Sequence, residues 1–360
     1  MKLGQFSTQF RLRLITKKLP LMIKIFKQIA GNYLGFWNNT SKLRSMVVMI
    51  NTECNMRCEH CFAESFSNIK NREKLSLNEI KTAIKEMKKE GVFHFALQGG
   101  EPFLHQNLNE IIKATNPSSS YITLVSNGGI VNKQKLKEVY ELGVDKLALS
   151  IDSFIPEEHD SFRNSQGAYQ KAMQALDEAR EVGLDTGVAI TVTNDTLHTE
   201  SVQKLINYCL SKNINVEINI PQPIGNWDGR LDLILTDENF KYINDLHNKD
   251  KRIRRDLYQH LGRSGCPAVT ESLYMNVFGD IFPCVYMHIG IGNIKENSLK
   301  DIRNRALTIR EFREYPDKCL AGEDKDFIEK YVSKGFDKEK PANGEEIFNL
   351  SPFPQKNKSF

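Results

Sequence analysis

The segment Met46-Val-Val-Met-Ile50-Asn-Thr-Glu-Cys54-Asn-Met-Arg-Cys58-Glu-His60-Cys61 joins an apolar run to three closely spaced cysteines. The apolar run predicts a buried strand, and the cysteines follow it in the pattern C-x3-C-x2-C. A loop directly after a strand can aim three thiolates at one centre. Cysteine thiolates hold iron–sulfur clusters, usually four to each [4Fe–4S] cube, so three ligands leave one iron open. We therefore predict an iron–sulfur site in this loop.

Two other interpretations of the cysteines stay open. Zinc requires four tetrahedral ligands, commonly two C-x2-C pairs or one such pair with two histidines. The nearby candidate for a fourth zinc ligand is His60, which lies between two of the cysteines. The remaining interpretation is that Cys54, Cys58 and Cys61 are unrelated buried thiols.

Outward from this segment, strand-like runs alternate with helical patterns. The predicted strands are Met46–Ile50, Phe93–Gln98, Tyr121–Val125, Lys146–Ile151, Thr186–Val192 and Asn215–Ile220. The predicted helices are Leu77–Glu90, Leu108–Ala114, Lys133–Leu142, Ala168–Val182 and Glu200–Lys212. The pair Ser76 and Glu79 has the spacing of a capping box. This alternation predicts an α/β fold of parallel units, as an open doubly wound sheet or a partial (β/α)6 TIM-like barrel. In both folds the chemistry takes place at the carboxyl ends of the strands.

Composition and charge exclude several classes of protein. The chain has 360 residues, of which 26% are charged, and this balance excludes collagen-like, disordered and polytopic membrane proteins. Lys and Arg number 49 against 45 acids, and nine of these bases precede Glu53, the first acid. The rest of the chain has no evident basic face, so we expect no nucleic-acid partner. The start lacks a secretory pattern, which predicts a cytoplasmic protein, peripheral to the membrane if the basic start binds lipid.

The cysteine loop resembles that of the radical S-adenosylmethionine (SAM) superfamily. The family motif is C-x3-C-x-aromatic-C, and His60 stands in the aromatic position. The resemblance implies a [4Fe–4S] cluster on Cys54, Cys58 and Cys61, whose open iron chelates the amino and carboxylate groups of SAM. It further implies reductive cleavage of SAM to a 5′-deoxyadenosyl radical, with flavodoxin or ferredoxin as electron donor. The resemblance covers about residues 46–225, which would form the radical SAM core, a partial (β/α)6 barrel.

Other positions resemble the SAM pocket of this family. The family's GGE motif matches Gly99, Gly100 and Glu101 after the second strand, where Glu101 is expected to accept from the SAM ammonium group. Polar or strand-end positions that would surround SAM also include His60, Ser126, Asn127, Ser150, Asp152, Arg163, Thr191 and Val192. Of these, Arg163 resembles the arginine that contacts the SAM carboxylate.

A second cysteine set lies further along the chain. Cys266 and Cys284 frame the pattern C-x12-G-x4-C, and the runs Tyr274–Val277 and Asp280–Phe282 predict a hairpin turned at Gly279. This resembles the start of the SPASM or twitch domains, small α+β units that bind auxiliary iron–sulfur clusters. Cys319 is the remaining candidate ligand, so we expect one auxiliary cluster with a non-cysteine fourth ligand, for which His288 is a conceivable candidate. The alternative is that these cysteines are ordinary buried thiols, as predicted for Cys209 on its apolar helix face.

The predicted domain organisation has five parts. They are a basic amphipathic N-terminal extension (1–45), the core (46–225), a helical bridge (226–264), the SPASM/twitch-like domain (265–322) and a surface tail (323–360). In the extension, Leu21–Trp37 carries an apolar stripe between lysines. This stripe would pack on the bottom or side of the barrel, lie in a membrane interface, or belong to a transit peptide.

The predicted activity is hydrogen-atom abstraction from a substrate C–H bond, which makes the protein an oxidoreductase-like enzyme. The substrate expected first is a peptide, which would be crosslinked, oxidised or epimerised. The alternatives are a small sugar-like molecule and a lipid. A non-catalytic iron–sulfur electron carrier or scaffold is the alternative from another class, although such a protein would need no SAM-binding residues.

Overall fold

A computed structural model of the chain describes residues 18–33, 43–255, 257 and 265–353. Ten of its strands form one sheet. These strands are β1 (Ser45–Met49), β2 (His94–Gln98), β3 (Tyr121–Ser126), β4 (Lys146–Ser150), β5 (Asp185–Thr191), β6 (Asn215–Asn219), β7 (Ile253–Arg254), β8 (Ser272–Met275), β9 (Asp280–Phe282) and β11 (Gly292–Asn293). A second, two-stranded sheet pairs β10 (Ile289–Gly290) with β12 (Ala342–Asn343).

The helices connect the strands and cover the outside of the sheet. They are α1 (Leu19–Tyr33), α2 (Glu64–Ser67), α3 (Leu77–Lys89), α4 (Leu108–Ala114), α5 (Lys133–Leu142), α6 (Pro156–Arg163), α7 (Ala168–Val182), α8 (Glu200–Ser211), α9 (Asp237–Lys249), α10 (Leu299–Ala306), α11 (Arg310–Arg313), α12 (Lys325–Lys330) and α13 (Gly344–Phe348).

Strands β1 to β6 pair in parallel and in chain order, so the α/β prediction is confirmed. The ends of each predicted barrel strand differ from those of the observed strand by at most one residue. The predicted capping box is present at the start of α3, where the Ser76 side chain accepts from the Glu79 backbone N–H and the Glu79 side chain accepts from the Ser76 backbone N–H. Parallel pairing brings the loops that follow the strands to one end of the barrel.

The predicted hairpin is present but belongs to the same sheet as the barrel. Strands β8 and β9 pair antiparallel and turn at Gly279, whose φ of 86° lies in the left-handed region. Strand β8 also pairs in parallel with β1, with Ser45 opposite Ser272. The hairpin therefore covers the edge of β1 that would otherwise present unpaired backbone groups.

The prediction that the chain ends in a surface tail is wrong for residues 323–353. Phe327 and Phe348 are buried, and Phe327 packs on Phe312 with 5.6 Å between ring centroids. Strand β12 pairs in parallel with β10, which attaches this segment to the C-terminal unit. Its apolar residues are spaced irregularly in short elements, so the segment lacks the periodicity that marks a longer helix or strand.

Helix α1 lies across the amino ends of the barrel strands. Lys18, just before it, is buried and donates to the carbonyl of Ser120 at 2.8 Å and to Asp145 Oδ2 at 2.5 Å. Leu21 is fully buried and clusters with Phe93. One of the three predicted positions for this stripe, packing against the barrel, is thus observed. The end of the predicted stripe, Phe36 and Trp37, lies outside the described residues. Among the described helices, none has the length and apolar character needed to cross a membrane.

Candidate active site

One cavity of about 350 Å³ runs from the barrel interior to the loops at the carboxyl ends of the strands. Its volume lies within the roughly 300–1,000 Å³ of small-molecule sites. The cavity is lined by both cysteine sets: Cys54, Cys58, Cys61, Cys266, Cys284 and Cys319. Residues far apart in sequence thus meet at the end of the barrel where parallel α/β proteins carry their chemistry.

The thiols of the first loop are buried or half-buried, and Cys54 accepts hydrogen bonds from its neighbours. Cys54 Sγ accepts from the Met56 backbone N–H at 3.4 Å and from Asn127 Nδ2 at 3.5 Å. Burial raises the pKa of the Cys54 thiol, and burial together with Cys58 raises the pKa of Cys61 to about 11. A bound iron–sulfur cluster would reverse this effect, because its irons stabilise the thiolates. Cys54, Cys58 and Cys61 pack in one cluster of side chains and line the cavity together. Thiolates are the usual ligands of iron–sulfur clusters, so this donor set fits a cluster held by three cysteines.

The cysteine loop is held from outside by the loop after β6. The Asn226 backbone N–H donates to the carbonyl of Cys61 at 3.1 Å, and Asn226 Nδ2 donates to the carbonyl of Cys58 at 2.9 Å. Gly225 has a φ of 64°, and a Cβ on it would lie 2.1 Å from the Cys61 carbonyl oxygen. Only glycine permits this approach, so the two loops form one packed unit.

The paired glycines after β2 pack against the segment that leads into the cysteine loop. The Gly100 N–H donates to the carbonyl of Asn51 at 2.9 Å, and a Cβ on Gly100 would lie 2.3 Å from the Glu53 carbonyl oxygen. Both Gly99 and Gly100 line the cavity. The missing side chains let this loop pack closely on the segment before the cysteines, and this packing brings both glycines to the cavity wall.

Glu101 occupies a different environment from the one expected. Its carboxylate is fully buried and does not line the cavity. Oε1 accepts from Ser126 Oγ at 2.9 Å, and Oε2 accepts from the Asn127 backbone N–H at 2.9 Å. Burial raises the pKa of Glu101 to about 7 despite these donors. The side chain ties the loop after β2 to the loop after β3. Its bond to the SAM ammonium group stays a prediction.

A buried ion pair follows β4. Arg163 Nε donates to Asp152 Oδ2 at 2.7 Å, and Asp152 Oδ1 accepts from the Thr191 backbone N–H at 3.0 Å. Burial alone would raise the pKa of Asp152, but Arg163 and His159 hold it below its usual range. Arg163 also reaches the cysteine loop, with Nη1 at 3.7 Å from Cys58 Sγ. This guanidinium therefore places a positive charge beside the Cys58 thiol.

His60 presents a flat, neutral ring to the cavity. It stacks on Phe162 with 4.4 Å between centroids and 13° between planes, and Trp227 lies 5.6 Å away. Burial, together with the charge of Arg163, lowers the pKa of His60 to about 3. The imidazole is therefore uncharged at neutral pH and can serve as the aromatic surface expected at this position.

The strand-end residues divide between the cavity and the core. Ser126, Asn127, Ser150 and Thr191 line the cavity, and their contact with SAM stays a prediction. The prediction that Val192 belongs to the pocket is wrong, because this residue is fully buried in the core behind β5. Side chains alternate between the two faces along a strand, so the neighbour of an inward-facing residue faces outward.

The second cysteine set lines the same cavity from the C-terminal unit. Cys319 is held by Glu323, whose Oε2 accepts from the Cys319 backbone N–H at 3.1 Å and from Arg255 Nη2 at 2.5 Å. His288 does not line the cavity; it packs on Phe66 at 4.6 Å, with Nδ1 at 2.9 Å from Ser65 Oγ. Cys209 lies in the core, as predicted.

Comparison with protein families identifies two domains in the chain. Residues 48–219 match the radical SAM superfamily, and residues 266–323 match SPASM, an iron–sulfur cluster-binding domain. The chain carries a radical SAM domain followed by a SPASM domain. As a radical SAM enzyme with a SPASM domain, it takes a [4Fe–4S] cluster with SAM, and the SPASM domain implies auxiliary iron–sulfur clusters. The electron-carrier alternative is therefore set aside.

Relatives and structural neighbours of this radical SAM enzyme are named for diverse activities. It is 24% identical over 302 residues to the AdoMet-dependent heme synthase of Oleidesulfovibrio alaskensis, covering 75% of this chain and 77% of the relative. SuiB of Streptococcus suis bound to the precursor peptide SuiA has a TM-score of 0.57 at 16% identity, with 76% of this chain and 67% of SuiB covered. anSMEcpe with AdoMet and the Cp18Cys peptide has a TM-score of 0.56 at 17% identity, with 85% and 95% covered. The structural likeness shows the fold.

Several residues that line the cavity of this radical SAM enzyme were missed by sequence reasoning. They include Met56, Gln98, Asn219, Gln222 and Trp227. Gln98 and Asn219 stand at the carboxyl ends of β2 and β6, a position that could have indicated them. Gln222 and Trp227 lie in an irregular loop, where no periodicity predicts which side chains face inward.

Proposed function

We propose that this enzyme oxidises or crosslinks a peptide, using a SAM-derived radical and an auxiliary iron–sulfur cluster. One observation carries the proposal: both cysteine sets line a single cavity. A substrate bound in it would contact the radical-generating end and the auxiliary cysteines at once. An electron left on the substrate after loss of a hydrogen atom would then have an acceptor nearby.

Different residues of the chain would bind the two clusters and the different parts of SAM. Cys54, Cys58 and Cys61 would hold the first cluster, and the backbone at Gly99 and Gly100 would receive the methionine part of SAM. Ser126, Asn127, Ser150 and Thr191 would supply polar contacts, His60 a flat surface for adenine, and Arg163 a partner for the SAM carboxylate. Cys266, Cys284 and Cys319 would hold the auxiliary cluster.

When bound, the cluster and SAM supply a 5′-deoxyadenosyl radical that takes a hydrogen atom from the substrate. The protein excludes water from this step, since the barrel interior around the cavity is formed by buried strands. Asp152 keeps Arg163 charged and oriented toward the SAM site through the 2.7 Å bond between them. The electron donor would be a flavodoxin or ferredoxin.

The charge of the cavity favours a peptide over a substrate with several carboxylates, such as a porphyrin. Among the described residues, the arginines that line the cavity are Arg44, which pairs with Glu271, and Arg163, which pairs with Asp152 and would also receive the SAM carboxylate. A neutral, polar backbone suits such a lining because it requires no unpaired cation. The peptides bound by SuiB and anSMEcpe support the same choice, whereas the heme synthase relative represents the rival substrate class.

We expect a random-sequence dodecapeptide pool to raise the rate of 5′-deoxyadenosine formation several-fold over the substrate-free rate of the reconstituted, reduced enzyme. Mass spectrometry should show peptides that have lost two hydrogens. Matched reactions with an iron coproporphyrin and with an aminosugar mixture test the rival classes, and a reaction without SAM is the control. Stimulation by the porphyrin or the aminosugars alone would contradict the peptide assignment.

A separate observation on α1 favours attachment to an anionic membrane surface, which we propose as a second property. Its outer face exposes Leu19, Ile23 and Phe26 by 58%, 48% and 72%. These three positions follow the i, i+4, i+7 spacing of one helix stripe. The side chain of Lys27 is exposed beside them, and no acid precedes Glu53 in the sequence. An apolar stripe flanked by lysines is typical of helices that lie in a membrane interface.

The double substitution Ile23→Ser with Phe26→Ser should abolish co-sedimentation of the enzyme with vesicles of three parts phosphatidylcholine and one part phosphatidylglycerol. Wild-type binding should weaken in high salt, because surface charge is screened within about 8–10 Å at physiological ionic strength. The matched control is Ile155→Ser with Leu231→Ser, which removes exposed apolar side chains elsewhere. Equal sedimentation of both variants and wild type would refute the membrane role.

A further inference from the structure

Gln222 is a buried residue whose side-chain amide has no hydrogen-bond partner among the described residues. Its side chain lines the cavity, and the residue is only 5% exposed. Neither Oε1 nor Nε2 has a hydrogen-bond partner within the described part of the chain. Buried polar groups in folded proteins are nearly always paired, so an amide with both ends unpaired indicates a missing partner.

The protein holds this side chain in a fixed place between the two cysteine sets. The carbonyl of Gln222 accepts from the Ile224 backbone N–H at 2.8 Å, within the loop that also binds the Cys58 and Cys61 carbonyls through Asn226. On the other side is Gly322, close to Cys319 in sequence. A Cβ on Gly322 would lie 2.3 Å from Gln222 Nε2, so a larger residue at position 322 would force the amide out of its present place.

We propose that Gln222 binds a backbone amide of the substrate, holding it between the SAM site and the auxiliary cysteines. This rests on the proposed function and specifies how the substrate is recognised. A carboxamide offers one acceptor and two donors, and a peptide unit offers the complementary N–H and C=O, so each satisfies the other. A carboxylate would satisfy only the amide N–H groups and would face Oε1 with a second oxygen.

The first test is the stability of the cluster-loaded, SAM-bound enzyme without peptide. Because no group of the described residues pairs with the Gln222 amide, Gln222→Met should raise the Tm by about 2 °C or more. The matched control is Gln174→Met, which changes an exposed glutamine on α7 that already bonds Glu178. A Tm of Gln222→Met equal to or below that of wild type would overturn the proposal, since the amide would then have a structural partner such as water.

The second test uses a blocked amide as the probe. N-acetylglycine N-methylamide at 100 mM should raise the wild-type Tm more than N-acetylglycine methyl ester, which lacks one N–H. This difference should vanish in Gln222→Met and persist in Gln174→Met. A difference that survives in Gln222→Met would overturn the proposal. Loss of iron from Gln222→Met would overturn it too, because the amide would then be a cluster ligand.

These experiments distinguish failure of the proposed peptide reaction from failure of the proposed amide site at Gln222. An amide-specific Tm shift that depends on Gln222, in an enzyme that modifies no peptide, would support the amide site and reject the peptide reaction. Peptide modification at the wild-type rate by Gln222→Met would support the reaction and reject the role of Gln222.

Discussion

Replacing Cys54, Cys58 and Cys61 together with alanine should lower the formation of 5′-deoxyadenosine from SAM by more than about a thousandfold. The three thiols line the cavity at the loop after β1, and without them no site remains there for the first cluster. The measurement is anaerobic incubation with reductant and SAM, without any substrate, followed by chromatography of the nucleoside products.

The control for this experiment is Cys209→Ala, which removes a cysteine from the core rather than from the cavity. It should retain SAM cleavage, although loss of a buried side chain lowers its free energy of unfolding. Cleavage that persists in the triple variant would show that the radical-generating cluster is bound elsewhere.

Replacing Cys266, Cys284 and Cys319 with alanine should separate the two clusters. Wild-type protein reconstituted anaerobically should contain about eight irons per chain, as expected for two [4Fe–4S] cubes, and the variant about four. SAM cleavage without substrate should persist, because Cys54, Cys58 and Cys61 are unchanged. Modification of peptides should be lost together with the auxiliary electron acceptor.

Circular dichroism and thermal melting show whether this variant is folded, since Cys266 and Cys319 are buried. A folded variant that cleaves SAM without modifying peptide is the expected outcome. A wild-type iron content near four, unchanged in the variant, would show that these cysteines are buried thiols and that the reaction uses a single cluster.

The sequence predicted those parts of the site whose signal is local. The C-x3-C-x2-C spacing, the paired glycines and the polar residues at strand ends each occupy a few consecutive positions, and the structure brings them to one cavity. The role of Glu101 was not predictable in this way. Its partners, Ser126 and Asn127, follow a different strand, so their bonds depend on how β2 and β3 pair.

The predictions of pocket residues were wrong or incomplete where the direction of a side chain or a contact distant in sequence decides which residues face the cavity. Thr191 and Val192 are adjacent and lie on opposite faces of β5, so assigning both to the pocket required a sheet without alternation. Gln222 faces the cavity because Gly322, a hundred positions later, leaves room for it. Such a contact has no counterpart in the local pattern of the chain.

The pairing of β8 with β1 has a consequence for how the protein is made. During synthesis β1 emerges early, but one of its two neighbours in the sheet, β8, follows only after the whole barrel has been translated. Contacts between such distant segments form slowly, and until they form the unpaired edge of β1 is prone to pair with other chains. A truncation that ends after β7 should therefore aggregate instead of yielding an isolated barrel, and the two cluster-binding regions should unfold as one cooperative unit.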